Sequence, residues 1–132
     1  RLDTDEMVRE LTGRDPADLI ERDGEGAFRR IEEEVVRKVS GESGSVIATG
    51  GGAVLSGANR AALRRNGRVY WLDRPLADLP REGRPLSKDL GRLYEERRPL
   101  YGETADARID ASRGVLPAAR AILEEFHAHT GA

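Results

Sequence analysis

Val46-Ile47-Ala48-Thr49-Gly50-Gly51-Gly52-Ala53-Val54-Leu55-Ser56 is an apolar run that stops at three consecutive glycines, shortly before a helical pattern begins. This order predicts a buried strand, a turn and then a helix. Three glycines remove every side chain from the turn and permit positive φ angles, so a ligand can approach the backbone N–H groups directly. Ligands of open α/β sheets bind at the carboxyl ends of the strands. The glycines therefore indicate either a ligand-binding turn or an ordinary flexible connection.

The composition of the 132 residues is typical of a globular domain with a polar surface, with 38% hydrophobic and 35% charged residues. A single domain over 1–132 is predicted. No apolar run approaches the roughly 20 residues of a membrane span. The absence of cysteine excludes disulfides and thiolate metal sites, and two histidines are too few for a histidine-based metal centre. The net charge of −2 argues against nucleic acid as the main partner. We expect a cytoplasmic protein with no membrane partner.

Helical and strand patterns alternate along the chain. The stripe of Phe28, Ile31, Val35, Val36 and Val39 predicts an amphipathic helix over 25–39. Each connection between strands is long enough for a parallel crossover, so we predict an α/β fold with three α/β/α layers around a parallel sheet. Strands are predicted at 1–5, 45–49, 68–72 and 107–110. The other predicted helices span 5–13, 16–22, 56–66, 89–98 and 115–128, and 100–104 is a possible continuation of the helix at 89–98. The predicted inward residues of the last helix are Leu116, Ala119, Ile122, Leu123 and Phe126.

Two acidic residues and one arginine lie where such a fold binds ligands. Asp3 and Asp5 follow a predicted strand, so that one carboxylate can face a metal ion or phosphate and the other a hydroxyl group. The ordinary alternative is capping of the next helix. On the helix over 25–39, Arg29 precedes Glu32 by three residues, and the carboxylate can hold the guanidinium in one rotamer. The alternative for this pair is a solvated surface contact.

Two further arginines lie in the second half of the chain. Residues 79–88 combine proline, glycine and charges of both signs, which makes this segment, with Arg84, a candidate short lid. A mobile, solvated loop is the alternative. Arg97 stands at a predicted helix end just before Pro99, where it can bind an anion or interact with the helix dipole.

Taken together, these motifs resemble the shikimate kinase family in order and spacing over nearly the whole chain. Leu2-Asp3-Thr4-Asp5 resembles the family's Asp-Thr-Asp motif, and Gly24-Glu25-x-x-Phe28-Arg29-x-x-Glu32 resembles its substrate-binding helix. Thr49-Gly50-Gly51-Gly52-Ala53 resembles its glycine triplet, Arg84-Pro85-Leu86 its lid, and Arg97-x-Pro99-Leu100-Tyr101 its second carboxylate clamp.

This resemblance implies a P-loop kinase of the nucleoside-monophosphate-kinase type that phosphorylates the 3-hydroxyl of shikimate, in the biosynthesis of chorismate and the aromatic amino acids. Residues 5–40 would form the substrate-binding helices. Arg29 and Arg97 would contact the shikimate carboxylate. Gly50, Gly51 and Gly52 would offer backbone N–H groups, and Asp5 would orient or deprotonate the attacking hydroxyl.

The resemblance also implies ATP as the phosphoryl donor and Mg²⁺ as its metal ion. Asp3 would reach the magnesium ion through water, and Arg84 would neutralise charge on the transferring phosphoryl group when the lid closes. The segment 79–84 is short for the family, so nucleotide contacts by Arg81 and by Arg113 are left open.

The family's Walker A segment, Gly-x-x-x-x-Gly-Lys-Ser/Thr, does not occur in these 132 residues, since neither Lys38 nor Lys88 follows such a pattern. Our expectation is a chain truncated at its N-terminus, which lacks the first strand, phosphate-binding loop and helix and is inactive without them. A partial, inactive relative is the alternative.

Two other functions stay open on the sequence alone. Two arginines directed at a carboxylate also suit a kinase for another small polyol acid, such as gluconate. A non-catalytic shikimate-binding module within a larger pathway polypeptide is the second alternative, and a fusion to another pathway enzyme is compatible with either kind of function.

Overall fold

The computed structural model describes residues 1–74 and 90–131. They form two compact units, of which the first comprises Arg1–Arg68 and the second comprises the described residues from Val69 onward. Each unit has its own pair of parallel strands and its own apolar core. The lid predicted at 79–88, with Arg81 and Arg84, lies outside the described residues.

Helices and strands alternate as the sequence predicts, and both strand pairs are parallel, which confirms the α/β class. The first unit contains β1 (Leu2–Asp3), α1 (Thr4–Thr12), α2 (Pro16–Asp23), α3 (Glu25–Val39), β2 (Ile47–Ala48), a 3₁₀ turn (Gly51–Leu55) and α4 (Gly57–Asn66). The second unit contains β3 (Tyr70–Asp73), α5 (Leu90–Thr104), β4 (Ala107–Asp110) and α6 (Val115–Thr130).

The core of the first unit is built on the predicted stripe of α3. Phe28, Val35 and Val39 are each 5% exposed or less, and they pack with Val8 of α1 and Leu19 of α2. Burial of one such side chain contributes roughly 1.5–3 kcal/mol to folding. The three helices therefore form one packed layer, from which polar residues on the other faces of α1 and α3 can project.

Two glycines set the connections between these helices. Gly13 ends α1 with a φ of +75°, and Gly24 joins α2 to α3 with a φ of +90°. Side chains disfavour both conformations, whereas glycine adopts them without steric cost. α3 begins directly after Gly24, and Arg29 therefore lies in the second turn of that helix.

The strand predicted over 45–49 is shorter and less buried than expected. β2 consists of Ile47 and Ala48, which pair with Leu2 and Asp3 of β1. The side chain of Val46 is 73% exposed. The prediction of a buried strand is wrong here because, within the described residues, β2 pairs with one neighbouring strand and its apolar residues are covered incompletely.

In the second unit, the inward face of α6 differs from the predicted one. Ala118 and Ile122 pack towards Ile109 and Ala111 at the end of β4. Of the predicted inward residues only Ile122 is confirmed, since Leu116 and Leu123 are 71% and 56% exposed. Within the described residues, the strands of this unit thus cover the alanine face of α6 and not its leucine face. The remaining predicted residues, which are also exposed, are Ala119 and Phe126.

A polar cluster around the buried Asp73 joins α5 to the strands of its unit. The hydroxyl of Tyr94 donates to Oδ1 of Asp73, and Nε of Arg108 donates to Oδ2 at 2.6 Å. Burial alone would raise the pKa of Asp73, but the hydrogen bonds from Tyr94 and Arg108 outweigh it and hold that pKa below its ordinary value. α5 itself continues through Pro99, so the predicted continuation to Thr104 is confirmed.

Replacement of Asp73 is expected to change stability in a pH-dependent way. Asp73→Asn should lower the free energy of unfolding at neutral pH by about 1–3 kcal/mol, because Arg108 loses a charged partner. Because the pKa of Asp73 is lower in the folded protein than in the unfolded chain, its carboxylate contributes fully to stability at pH values above the unfolded-state pKa. This contribution is lost as the pH falls through the folded-state pKa. The stability difference between the two proteins should therefore shrink as the pH falls from about 6 to about 2. Urea denaturation at several pH values measures this difference.

The exposed Glu124 of α6 provides a matched control, since Glu124→Gln removes a carboxylate from the same unit outside the cluster. This control should change stability by less than about 0.5 kcal/mol at any pH. A stability difference for Asp73→Asn that is constant with pH, or that grows in acid, would contradict the assignment.

Candidate functional site

Asp3 and Asp5 lie at the junction of β1 and α1. Oδ1 of Asp3 accepts hydrogen bonds from the N–H groups of Asp5 at 3.0 Å and Glu6 at 3.3 Å. The capping role that the sequence left open for Asp3 is thus confirmed. Its second oxygen, Oδ2, lies 3.7 Å from Nη2 of Arg1. The cap fixes Asp5 in the first turn of α1, directly after the carboxyl end of β1.

Arg29 is held by two carboxylates of its own helix. Nη1 of Arg29 donates to Oε1 of Glu32 at 2.8 Å, and Nη2 donates to Oε1 of Glu25 at 3.1 Å. The side chain of Glu32 is 1% exposed, so the alternative of a solvated surface pair is wrong. The guanidinium carbon also lies 5.0 Å from the centre of the Phe28 ring. Sequence reasoning did not identify Glu25 as a second partner, although its four-residue spacing from Arg29 signals it.

The glycine turn, residues 50–52, follows β2 and leads into the 3₁₀ turn. It does not use the positive φ angles that glycine permits, since Gly50 has a φ of −68° and neither Gly51 nor Gly52 has a positive value. The backbone conformation is therefore one that residues with side chains also adopt. The need for glycine arises instead from the side chains that lie against the turn.

Asp5 and Arg29 flank this turn. A methyl group added to Gly50 would lie 3.3 Å from both carboxylate oxygens of Asp5. A methyl group added to Gly52 would lie 2.6 Å from the guanidinium carbon of Arg29, which is closer than real packing contacts. The first unit thus brings together a carboxylate, a guanidinium group and bare peptide groups, although these come from three separate segments. Such a set suits a small ligand that carries both a carboxylate and hydroxyl groups.

Three polar side chains behind the turn were missed by sequence reasoning. Asn59 of α4 is 2% exposed, and its amide donates to the carbonyl of Ala53 at 3.0 Å. The hydroxyl of Ser56 accepts from the N–H of Asn59 at 3.2 Å and donates to Oε2 of Glu33. A serine that follows the glycines and precedes an asparagine by three residues, at the start of a helix, is the signal that could have identified Ser56 and Asn59.

Arg97 lies inside α5 of the second unit, seven residues before the end of that helix. The predicted position at a helix end, and with it the interaction with the helix dipole, is therefore wrong, because the helix continues through Pro99. The Nε of Arg97 is buried and has no hydrogen-bond partner among the described residues. The neighbouring Arg98 covers the ring of Trp71, with its guanidinium carbon 5.5 Å from the ring centre. Arg113 follows β4 in an exposed position. A buried guanidinium N–H without a partner requires an explanation, and an anionic ligand is one.

A magnesium ion would find one carboxylate oxygen at the end of β1. In the described part of the chain, no three acidic or histidine side chains are grouped so that they could hold a metal ion. Oδ2 of Asp3 is not used in capping, and this side chain is 25% exposed. Mg²⁺ in kinases typically keeps several waters and takes one or two carboxylates together with substrate phosphates. A single oxygen from Asp3 fits an ion of that kind.

Comparison with known proteins gives a consistent result. The family model described as shikimate kinase matches residues 1–127. A shikimate kinase of Symbiobacterium thermophilum is 45% identical over 128 residues, which are 87% of this chain and 74% of that protein. A shikimate kinase of Thiobacillus denitrificans is 41% identical over 126 residues, which are 84% of this chain and 67% of that protein.

Solved structures agree with the sequence comparison. A shikimate kinase from Acinetobacter baumannii in complex with shikimate has a TM-score of 0.86 at 28% identity, and the match covers 98% of this chain and 78% of that one. The shikimate kinase from Aquifex aeolicus has a TM-score of 0.80 at 27% identity, covering 98% and 82%. These similarities confirm the predicted P-loop kinase architecture, and the chain belongs to the shikimate kinase family.

Proposed function

We propose that this protein transfers the γ-phosphoryl group of ATP to the 3-hydroxyl of shikimate. The observation that carries the proposal is the position of Asp5 and Arg29 on either side of the glycine turn. Shikimate is a small ring acid with three hydroxyl groups. It therefore has the carboxylate that a guanidinium group binds and the hydroxyls that a carboxylate accepts hydrogen bonds from.

Arg29 would bind the carboxylate of shikimate. A guanidinium group has five N–H donors, and Glu25 and Glu32 accept from three of them. The remaining donors suffice for a bidentate contact with a carboxylate, while the two glutamates fix the orientation of the group. Arg97 of the second unit is proposed as a further carboxylate-binding residue, and Gly50, Gly51 and Gly52 would let the ligand approach the backbone.

Asp5 would accept the proton of the 3-hydroxyl as that oxygen attacks. In this step a bond forms between the hydroxyl oxygen and the γ-phosphorus, the bond from that phosphorus to the bridging oxygen breaks, and ADP leaves with the electron pair. Arg84, in the proposed lid, would neutralise charge on the transferring group. Mg²⁺ bound to the nucleotide, with Asp3 contacting one of its waters, would further reduce the charge on the phosphates.

A kinase for gluconate and a non-catalytic binding module are not favoured, because relatives that match most of the chain are shikimate kinases. An assay with ATP tests this directly, on the protein in its natural full-length form. We expect phosphorylation of shikimate and at most trace phosphorylation of gluconate. Greater turnover of gluconate, or tight shikimate binding without turnover, would contradict the proposal.

ATP and shikimate are the proposed small-molecule partners. No helix in the described part of the chain has the length and apolarity needed to cross a membrane. Cytoplasmic localisation and fusion to another pathway enzyme stay predictions, and fractionation of cells with an antibody to this chain would test both through the location and the mass of the protein detected.

The proposed contact of Arg29 predicts the effect of a substitution that keeps its charge. Arg29→Lys should weaken shikimate binding by roughly 1.5–3 kcal/mol, because one ammonium group cannot form a planar bidentate contact. Calorimetric titration of the full-length protein with shikimate measures the change. Arg30 is the matched control, since it is the next residue on α3 and is exposed. Arg30→Lys should leave the affinity for shikimate unchanged. Equal affinities for both variants would show that Arg29 does not bind shikimate.

A further inference from the structure

We propose that Asn59 is a positioning residue that fixes the glycine turn for shikimate binding, a role that rests on the function proposed above. Asn59 belongs to α4, and its side chain points at the back of the 3₁₀ turn rather than at the proposed ligand site. It would act through Ala53 and Gly52 on the two groups that contact the ligand, which are the turn itself and Arg29.

The carbonyl of Ala53 accepts two hydrogen bonds that hold the turn in place. It accepts the side-chain amide of Asn59 at 3.0 Å and the N–H of Ser56 at 3.4 Å. The N–H of Ala53 donates to the carbonyl of Gly50 at 3.2 Å, which closes the turn on its other side. Ala53 has no exposed surface and Asn59 is 2% exposed. If the Asn59 amide were removed, water could therefore not donate a hydrogen bond to the Ala53 carbonyl in its place without a rearrangement.

Two further hydrogen bonds connect the residues after the glycine turn to α3 and α4. Nη1 of Arg60 donates to the carbonyl of Val54 at 2.6 Å, and Ser56 donates to Glu33 of α3. α3 is also the helix that carries Arg29. The hydrogen bonds therefore connect the residues that follow the glycine turn to the helix that carries Arg29, and Asn59 is the most deeply buried of the side chains involved.

The consequence follows from how closely Gly52 and Arg29 approach. Gly52 is buried and directly precedes Ala53, and there is no room for even a methyl group between its α-carbon and the guanidinium. A small displacement of Ala53 is therefore transmitted to Arg29 and to the exposed peptide groups of the turn. Loss of the Asn59 amide should loosen the turn, although Asn59 has no contact with the ligand.

Asn59→Ala, made in the full-length protein, tests the proposal together with the control Asn66→Ala. Asn66 is on the same helix and its amide also donates to backbone carbonyls, but to those of Ser40 and Glu42. Asn59→Ala should raise the KM and Kd for shikimate about fivefold to twentyfold and leave the KM for ATP unchanged. Asn66→Ala should change neither. A purely structural loss in Asn59→Ala would instead leave both KM values unchanged in the folded fraction and overturn the proposal.

Amide hydrogen exchange gives a readout that does not depend on the enzymatic reaction. The N–H groups of Ala53 and Ser56 should exchange faster in Asn59→Ala than in Asn66→Ala or the unmodified protein. Equal exchange in all three proteins would overturn the proposal, whether or not the unmodified protein binds shikimate. If the unmodified protein did not bind shikimate but exchange were faster in Asn59→Ala, the proposed function would be overturned. The result would still support the role of Asn59 in holding the turn in place.

If Asn59→Ala does not fold, substitutions of Ser56 carry the same test. Ser56→Ala removes the hydroxyl that holds both Glu33 and the N–H of Asn59, whereas Ser56→Thr keeps a hydroxyl. Shikimate affinity should fall in Ser56→Ala and be largely restored in Ser56→Thr. Equal affinities for these two variants would overturn the proposal.

Discussion

Asp5→Asn is expected to lower kcat about 10²- to 10⁴-fold, the range in which proton transfer by a positioned side chain contributes to catalysis. Asparagine has nearly the same shape as aspartate, so it can still lie beside Gly50 and hydrogen-bond a ring hydroxyl. It cannot accept the proton of the attacking hydroxyl. The KM for shikimate should therefore change much less than kcat. Steady-state kinetics with ATP and shikimate on the full-length protein measure both parameters.

The next residue of α1 offers a matched control for this substitution. Glu6 is exposed and lies in the same first helical turn, so Glu6→Gln removes the same favourable charge from the helix N-terminus. Both variants should lose a similar stability, roughly 0.3–1 kcal/mol, but only Asp5→Asn should lose turnover. A loss of kcat that is equal in the two variants would show that Asp5 acts on the helix and not on the substrate.

Local spacing was sufficient to predict several parts of the fold and the candidate site. The apolar stripe that includes Phe28 and Val35 predicts α3 with the bounds that the structure gives, because a helical period of 3.6 residues leaves few alternatives. The pair of Arg29 and Glu32 follows from their three-residue spacing on that helix. Such contacts form between residues of the same helix, so the spacing of these residues in the sequence is enough to predict them.

Contacts between elements were harder to predict. The approach of Arg29 to Gly52 joins two segments that are far apart in the chain, and neither residue alone indicates the other. The glycines of this turn do not use the positive φ angles that glycine permits. A run of glycines signals that side chains are not tolerated, but the cause here is a guanidinium group from another helix, which local sequence does not reveal.

The face of α6 illustrates a further limit. Leu123 and Ala118 both belong to apolar stripes with a helical period, and hydrophobicity favours the leucine. The structure buries Ala118 against Ile109 and Ala111 and leaves Leu123 exposed. Packing density depends on the shapes of both partners, and this complementarity is not encoded in the periodicity of either one.

Gly52→Ala is expected to weaken shikimate binding about tenfold to a hundredfold, in the range for loss of a hydrogen-bonded charge contact. The backbone at Gly52 permits alanine because its φ is not positive, so the effect arises from the added methyl group. That methyl group would occupy the space of the Arg29 guanidinium. The end of a long side chain can move away, but the displaced guanidinium also leaves the buried carboxylate of Glu32. The loss of the carboxylate-binding geometry should therefore be accompanied by a loss of stability of roughly 1–3 kcal/mol.

A double-mutant cycle identifies the cause of this expected loss. If the methyl group acts by displacing Arg29, then Gly52→Ala should cost little further affinity in a protein that already carries Arg29→Ala, so the two effects should be strongly non-additive. Gly26→Ala is the control, because a methyl group there meets only Nη1 of Arg30 at an ordinary 3.7 Å. It should leave shikimate affinity unchanged. Additive losses in the cycle, measured by calorimetry, would mean that alanine at position 52 obstructs the ligand itself and that the Arg29 guanidinium is not held against the glycine turn when shikimate binds.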